Sequence, residues 1–262
     1  KPGGFRFYHG VFANYGYDGE WWTRTEKDID DGYALSIGIV FRVSSSDKGS
    51  GHQVRCIQGR ADALLVQAHT PDSSLDDPTP ARQFEDTAVT EVKIGEQIWM
   101  GKNLNVSTFR NGDVIPEAKS NEEWVRAGRN KKPAWCYYQN DPATGTLQGK
   151  LYNWYALCDE RGLAPLNWHL PSDADWLKLI ESLGESAASK MKSTFGWKEN
   201  RKGTNESGFN GIPVGIRTPG GYFVKGGYVC HWWSIPEYEH NGRWWWILEA
   251  GSIIICLLYT SP

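Results

Sequence analysis

The chain predicts an α+β fold, and three observations carry that prediction. Trp176, Leu179, Ile180 and Leu183 recur at i, i+3, i+4 and i+7, the spacing of one apolar helix face. Val92-Lys93-Ile94 and Gln97-Ile98-Trp99-Met100 alternate on either side of Gly95-Glu96, the pattern of a hairpin whose turn begins with glycine. From Gly208 onward, short β-type runs are broken by glycine pairs at 220–221 and 226–227. Short helices followed by a Gly/Trp-rich antiparallel region give a mixed domain with a small, loop-rich sheet.

Taken in order, the remaining elements follow from caps and turns. Ser120, with Glu123 three residues later, forms a capping box and predicts a short helix through Ala127 that Gly128 ends. The aromatic runs at 135–138 and 151–155 are separated by a turn-rich stretch at 140–149. Ser172, after Pro171, is placed to cap the helix that contains Trp176, and Gly184 to end it.

Composition narrows the function classes. The 262 residues contain 14 Trp, 12 Tyr and 9 Phe beside 29 Gly and 2 Met, the profile of rigid aromatic anchors in a loop-rich fold rather than of a helical bundle. A net charge of −3 offers no broad cationic footprint for nucleic acid or anionic lipid. The longest apolar run, 253–259, is far short of the roughly 20 residues a membrane-spanning helix needs.

The sequence also repeats itself. Residues 2–26 laid without a gap on 213–237 match at ten of 25 positions, where chance gives roughly one or two. The shared residues, among them Gly4/Gly215, Arg6/Arg217, Phe12/Phe223, Trp21/Trp232 and Trp22/Trp233, are mostly glycines and aromatics, which mark special backbone angles and packing anchors. This predicts a tandem repeat truncated at both ends. Residues 1–58 are read as the C-terminal part of a first copy, closing on the strand Gln53-Val54-Arg55-Cys56-Ile57. Residues 59–87, rich in Pro, Ser and Asp, are read as an extended linker. Residues 88–250 form the second copy, lacking its last strand because the equivalent of Cys56 would fall at about 267, the shift between copies applied to the closing strand. Residues 251–262 read as an atypical tail that does not belong to the domain.

Ordered blocks of the second copy resemble the Fibrobacter succinogenes major paralogous domain family of the C-type-lectin-like superfamily. They are IGEQIWMGKNLN (94–105), AWCYYQND (134–141), GKLYNWYAL (149–157), RGLAP (161–165), WHLPSDADW (168–176), TNESGF (204–209) and WWS (232–234). The first copy adds GEWWTRTE (19–26) and VRCI (54–57). The resemblance implies a C-type-lectin-like fold on secreted or surface-attached bacterial proteins, with no established activity.

On that basis the expected function is a non-catalytic, extracellular binding or adhesion module for carbohydrate or another surface ligand. Flat aromatic faces stack on sugar rings, and Trp, Tyr and Arg are enriched at contact surfaces. Aromatics identical between the copies, Trp232 and Trp233 above all, are read as scaffold. Positions that differ between copies are the contact candidates: Tyr222 against Val11, His231 against Glu20, and Tyr238, Arg243 and Trp245 in the stretch 237–246.

No cofactor or metal is expected. The Glu-Pro-Asn and Gln-Pro-Asp tripeptides that hold calcium in sugar-binding relatives do not occur, so binding is expected to be calcium-independent. A receptor domain diversified by retroelements, with a protein ligand, is the first alternative. An oxidase of the formylglycine-generating type is the second and weaker one. Cys230 beside His231 could suggest an activated thiol, but the first copy has Gly19 and Glu20 there. Among the five cysteines, Cys136 is expected to pair with a closing-strand cysteine in an intact domain, and Cys158 to be a buried free thiol. His169 is read as structural.

Overall fold

The computed structural model describes residues 48–59 and 89–235 with their side chains, that of Asp173 excepted, and the backbone of strands at 5–6, 12–13, 19–26, 32–37, 244–248 and 253–257. The linker expected at 59–87 lies outside the described residues from Arg60 onward. Short helices and small antiparallel sheets make up the described chain, as an α+β fold requires.

Four strands precede the main unit. β1 (Phe5–Arg6) pairs with β2 (Phe12–Ala13), and β3 (Gly19–Glu26) with β4 (Gly32–Ile37), both antiparallel. β5 (Ile57–Gln58), β6 (Glu91–Ile94) and β7 (Gln97–Met100) come next. The β6–β7 hairpin pairs Ile94 with Gln97 across a turn in which Gly95 adopts φ +59°, a left-handed angle that glycine accepts without strain.

Helix α1 (Asn121–Arg129) starts with the expected Ser120–Glu123 capping box and runs through Gly128 to an Asn130 cap, because tertiary packing of Trp124 outweighs one helical glycine. β8 (Trp135–Cys136), α2 (Gly145–Gln148), β9 (Leu151–Tyr152), α3 (Trp154–Leu157) and β10 (Trp168–His169) lead to α4 (Asp173–Leu183). There Ser172 accepts from the Asp175 amide, Asp175 returns the bond to the Ser172 amide at 2.8 Å, and Gly184 ends the helix at φ +60°. His169 shares this cap, with Nε2 at 3.3 Å from the Asp175 carboxylate. After α5 (Ala187–Met191), the chain closes with β11 (Ile216–Arg217), β12 (Phe223–Val224), β13 (Cys230–Ser234), β14 (Trp244–Leu248) and β15 (Ile253–Leu257). Residues 253–257, expected to lie in a tail outside the domain, pair with β14 as the outer strand of the β13–β14–β15 sheet.

Two pairs of strands share their register at matching positions. Phe5 faces Ala13 as Ile216 faces Val224, and Arg6 faces Phe12 as Arg217 faces Phe223. Gly19 faces Ile37 as Cys230 faces Leu248, and Trp22 faces Ala34 as Trp233 faces Trp245.

The segment 51–58, which the repeat assigns to the first copy, lies at the centre of the unit formed by 89–235. Gly51 bridges Arg217, His52 bridges Tyr152, Gln53 runs parallel beside Trp232, and β5 pairs with β7 and β10. Its side chains alternate as a strand's must. Val54 and Cys56 enter one apolar cluster with Phe109, Ile115, Trp135, Tyr152 and Trp233. On the other side, Ile57 enters a second cluster with Trp99, Trp176, Leu179, Phe209 and Trp232. β13 divides in the same way, Trp233 to one cluster and Trp232 to the other, so the two neighbouring strands separate the halves of the core.

Cys56 and Cys136 are both free and buried, and they belong to different clusters. Cys56, on the strand that lies beside β13, makes no bridge to Cys136. Cys158 is free as expected but exposed rather than buried, since it follows the last turn of α3 at the surface.

Candidate functional site

Of the candidate contact residues, Tyr222 stands at the surface, with 67% of its area exposed. It sits on the tip between β11 and β12, and local sequence holds that tip rigid. Thr218 donates its amide to the Tyr222 carbonyl at 2.8 Å and accepts the Tyr222 amide on its hydroxyl at 3.1 Å. Gly221, at φ +88°, brings the turn so close to α1 that a Cβ there would lie 2.9 Å from Asn121 Cα. Only glycine permits both that angle and that approach.

Arg217 fastens the hairpin to the start of α1. Its guanidinium donates to the carbonyls of Ala118 at 3.0 Å, Ser120 at 2.9 Å and Gly221 at 3.1 Å, and to the side-chain oxygens of Asn140 and Asn121. The same group lies over the rings of Trp124 and Phe223, 4.8 and 4.6 Å from their centroids. A planar cation with five donors can satisfy this many diverging acceptors, and lysine cannot. Trp124, Phe223, Tyr138, Cys136 and Val214 fill the space beneath.

Between the tip and the helix lies an open groove of about 410 Å³. Tyr222 and Gly220 form one wall; Asn121, Glu122, Val125, Arg126, Arg129 and Asn130 form the other. Among the described residues, neither Arg126 nor Arg129 takes part in an ion pair, so both guanidinium groups are available to a ligand. An exposed phenol ring facing amides, a carboxylate and two guanidinium groups can stack on a flat apolar face while hydrogen-bonding hydroxyls or acidic groups around its edge.

The other candidates fall elsewhere. His231 is buried on β13, between β14 and the segment 51–53, where no solute reaches it. Trp245 lies on β14, opposite Trp233 and Cys256. Tyr238 and Arg243 are outside the described residues. The Cys230 thiol donates to the Ile212 carbonyl at 2.9 Å, and burial holds it well above the usual thiol range. Trp232 and Trp233 are buried, as the scaffold reading expects.

Sequence reasoning missed Arg126, Arg129 and Asn121. Comparing the two copies could not have found them, because the region of α1 has no counterpart in residues 1–58. The helix periodicity did hold a signal, since Glu122, Arg126 and Arg129 recur at i, i+4 and i+7 opposite the Trp124 stripe.

Comparison with curated proteins gives no match, and comparison with solved structures gives none. The family model of the Fibrobacter succinogenes major domain matches residues 92–255, which include α1, both walls of the groove, and β13. The chain belongs to the Fibrobacter succinogenes major domain family.

Proposed function

We propose that this unit is a non-catalytic, calcium-independent binding module, carried on a secreted or surface-attached protein, that recognises carbohydrate or another surface ligand through the Tyr222 groove. The observation that carries the reading is the exposure of Tyr222 above a polar groove, on a hairpin whose backbone is bolted in place by Arg217. A large ring left in water adds little to folding, whereas held rigidly it binds a ligand at small entropic cost. Asn121, Glu122, Arg126 and Arg129 supply donors and acceptors of both signs within one groove, the mixture that sugar hydroxyls and uronate carboxylates require. The β-hairpin and β13–β14 registers that recur in the two halves of the sequence support a tandem arrangement of such units.

The test is a panel of neutral and acidic polysaccharides presented to the chain and to a Tyr222→Ala/Arg126→Ala variant, with circular dichroism confirming that both are folded. Binding by the chain that the variant loses is the expected result. Binding that the variant retains would remove the groove from the function, and failure to bind any glycan would favour a protein ligand.

A further inference from the structure

The segment 51–58 makes all its described strand pairings with residues 99–232, yet by sequence it follows the Trp21-Trp22 pair of the first copy. Gln53 donates its amide to His231 at 3.0 Å and accepts from the Trp233 amide at 3.1 Å. The strand that follows one Trp pair is thus hydrogen-bonded to the other. Further along, Leu104 donates to the Val54 carbonyl and Met100 to that of Cys56.

The slot also reads side chains. Arg55 donates through Nε and Nη2 to Asn103 Oδ1, at 3.0 and 2.7 Å, and through Nη1 to the carbonyls of Met100 and Phe209. Its guanidinium lies 4.4 Å from the centroid of the Phe209 ring. Trp232 Nε1 donates to the same Asn103 oxygen, so one side chain of the family block at 94–105 joins the Trp pair to Arg55. Without it, buried carbonyls would be left without a donor. Val54, Cys56 and Ile57 fill apolar positions on the two faces.

We propose that 51–58 is an exchangeable closing strand. The slot between β13 and β7 is a binding site for an extended segment of the pattern His-Gln-Val-Arg-Cys-Ile, and a second copy of this chain can supply it in trans. Main-chain pairing provides affinity, and the Arg55 receptor provides selection, the division of labour seen wherever a strand is added to a sheet. Strand exchange of this kind joins copies without creating any new contact.

To test it, the full chain carrying a protease site within residues 60–88 is cut, and a synthetic peptide of residues 48–59 is added in excess just below the thermal transition. The expected result is that the N-terminal piece is released and the peptide takes its place, while the same peptide carrying Arg55→Ala binds at least about tenfold more weakly. If the peptide never displaces the N-terminal piece, the strand is not exchangeable. If instead the N-terminal piece leaves and the remainder keeps its cooperative transition with nothing in the slot, the segment is not needed there. Either outcome overturns the proposal.

Discussion

His52 stacks on His231 with ring centroids 5.3 Å apart and planes 24° from parallel, one imidazole on the closing strand and the other on β13. The edge of Trp233 closes against His52 at 4.3 Å. Burial pushes His52 down to about 3 and holds His231 well below the usual histidine range, so both are neutral in the folded unit. In the unfolded chain both take up protons below about 6.5. Stability is therefore fully present above that pH and falls as pH drops toward 3, by up to about 1.4 kcal/mol per pH unit for each ring. Urea unfolding between pH 7 and 4.5 should show this loss, and His231→Phe should reduce the slope. A flat profile would contradict the buried neutral pair.

Arg217→Lys should destabilise the unit by about 2–4 kcal/mol, because an ammonium group cannot span the acceptors on Ala118, Ser120 and Gly221. Chemical denaturation measures it. A cost below about 1 kcal/mol would mean that the hairpin is held by packing alone.

Gly221→Ala places a Cβ 2.9 Å from Asn121 Cα at a positive φ. The expected cost is about 1–3 kcal/mol, and any ligand affinity of the groove should fall with it, since the tip must move away from α1. Tyr222→Ala, by contrast, should leave stability within about 0.5 kcal/mol. If Tyr222→Ala were the more damaging to folding, the exposed ring would be structural.

Cys56, Cys136 and Cys230 should resist alkylation in the native protein at pH 8 and react only on unfolding. Burial pushes Cys56 up to about 12 and Cys136 up to about 11, and it excludes the reagent as well. Intact mass before and after reduction should agree for these three. A gain of two hydrogens assigned to Cys56 and Cys136 would show a bridge between them and contradict the free thiols of the structure.

Local structure was legible in the sequence because its causes are local. The Ser120 and Ser172 caps, the Gly95 turn and the 176–183 face each depend on residues within one or two turns of chain. The partner of the 51–58 strand was not. Alternation tells which side chains share a face, but nothing in Gln-Val-Arg-Cys-Ile says which Trp pair lies beside it, so adjacency in sequence chose the first copy. His231 misled for a related reason. A residue that differs between copies suggests a surface, yet on β13, buried along all five residues, the neighbours can differ too. Tyr222 was legible because it differs from Val11, and at the tip of a hairpin such a difference falls at the surface.

The place of 51–58 at the centre of the core sets an order of events during synthesis. Gln53 emerges from the ribosome about 180 residues before the Trp232 it must lie beside, and elongation takes roughly ten to forty seconds over that distance. Until then Val54, Cys56 and Ile57 have no core to enter. The unit cannot close vectorially: its first-made strand waits for β13, and the waiting strand is what a chaperone or a neighbouring nascent copy would meet.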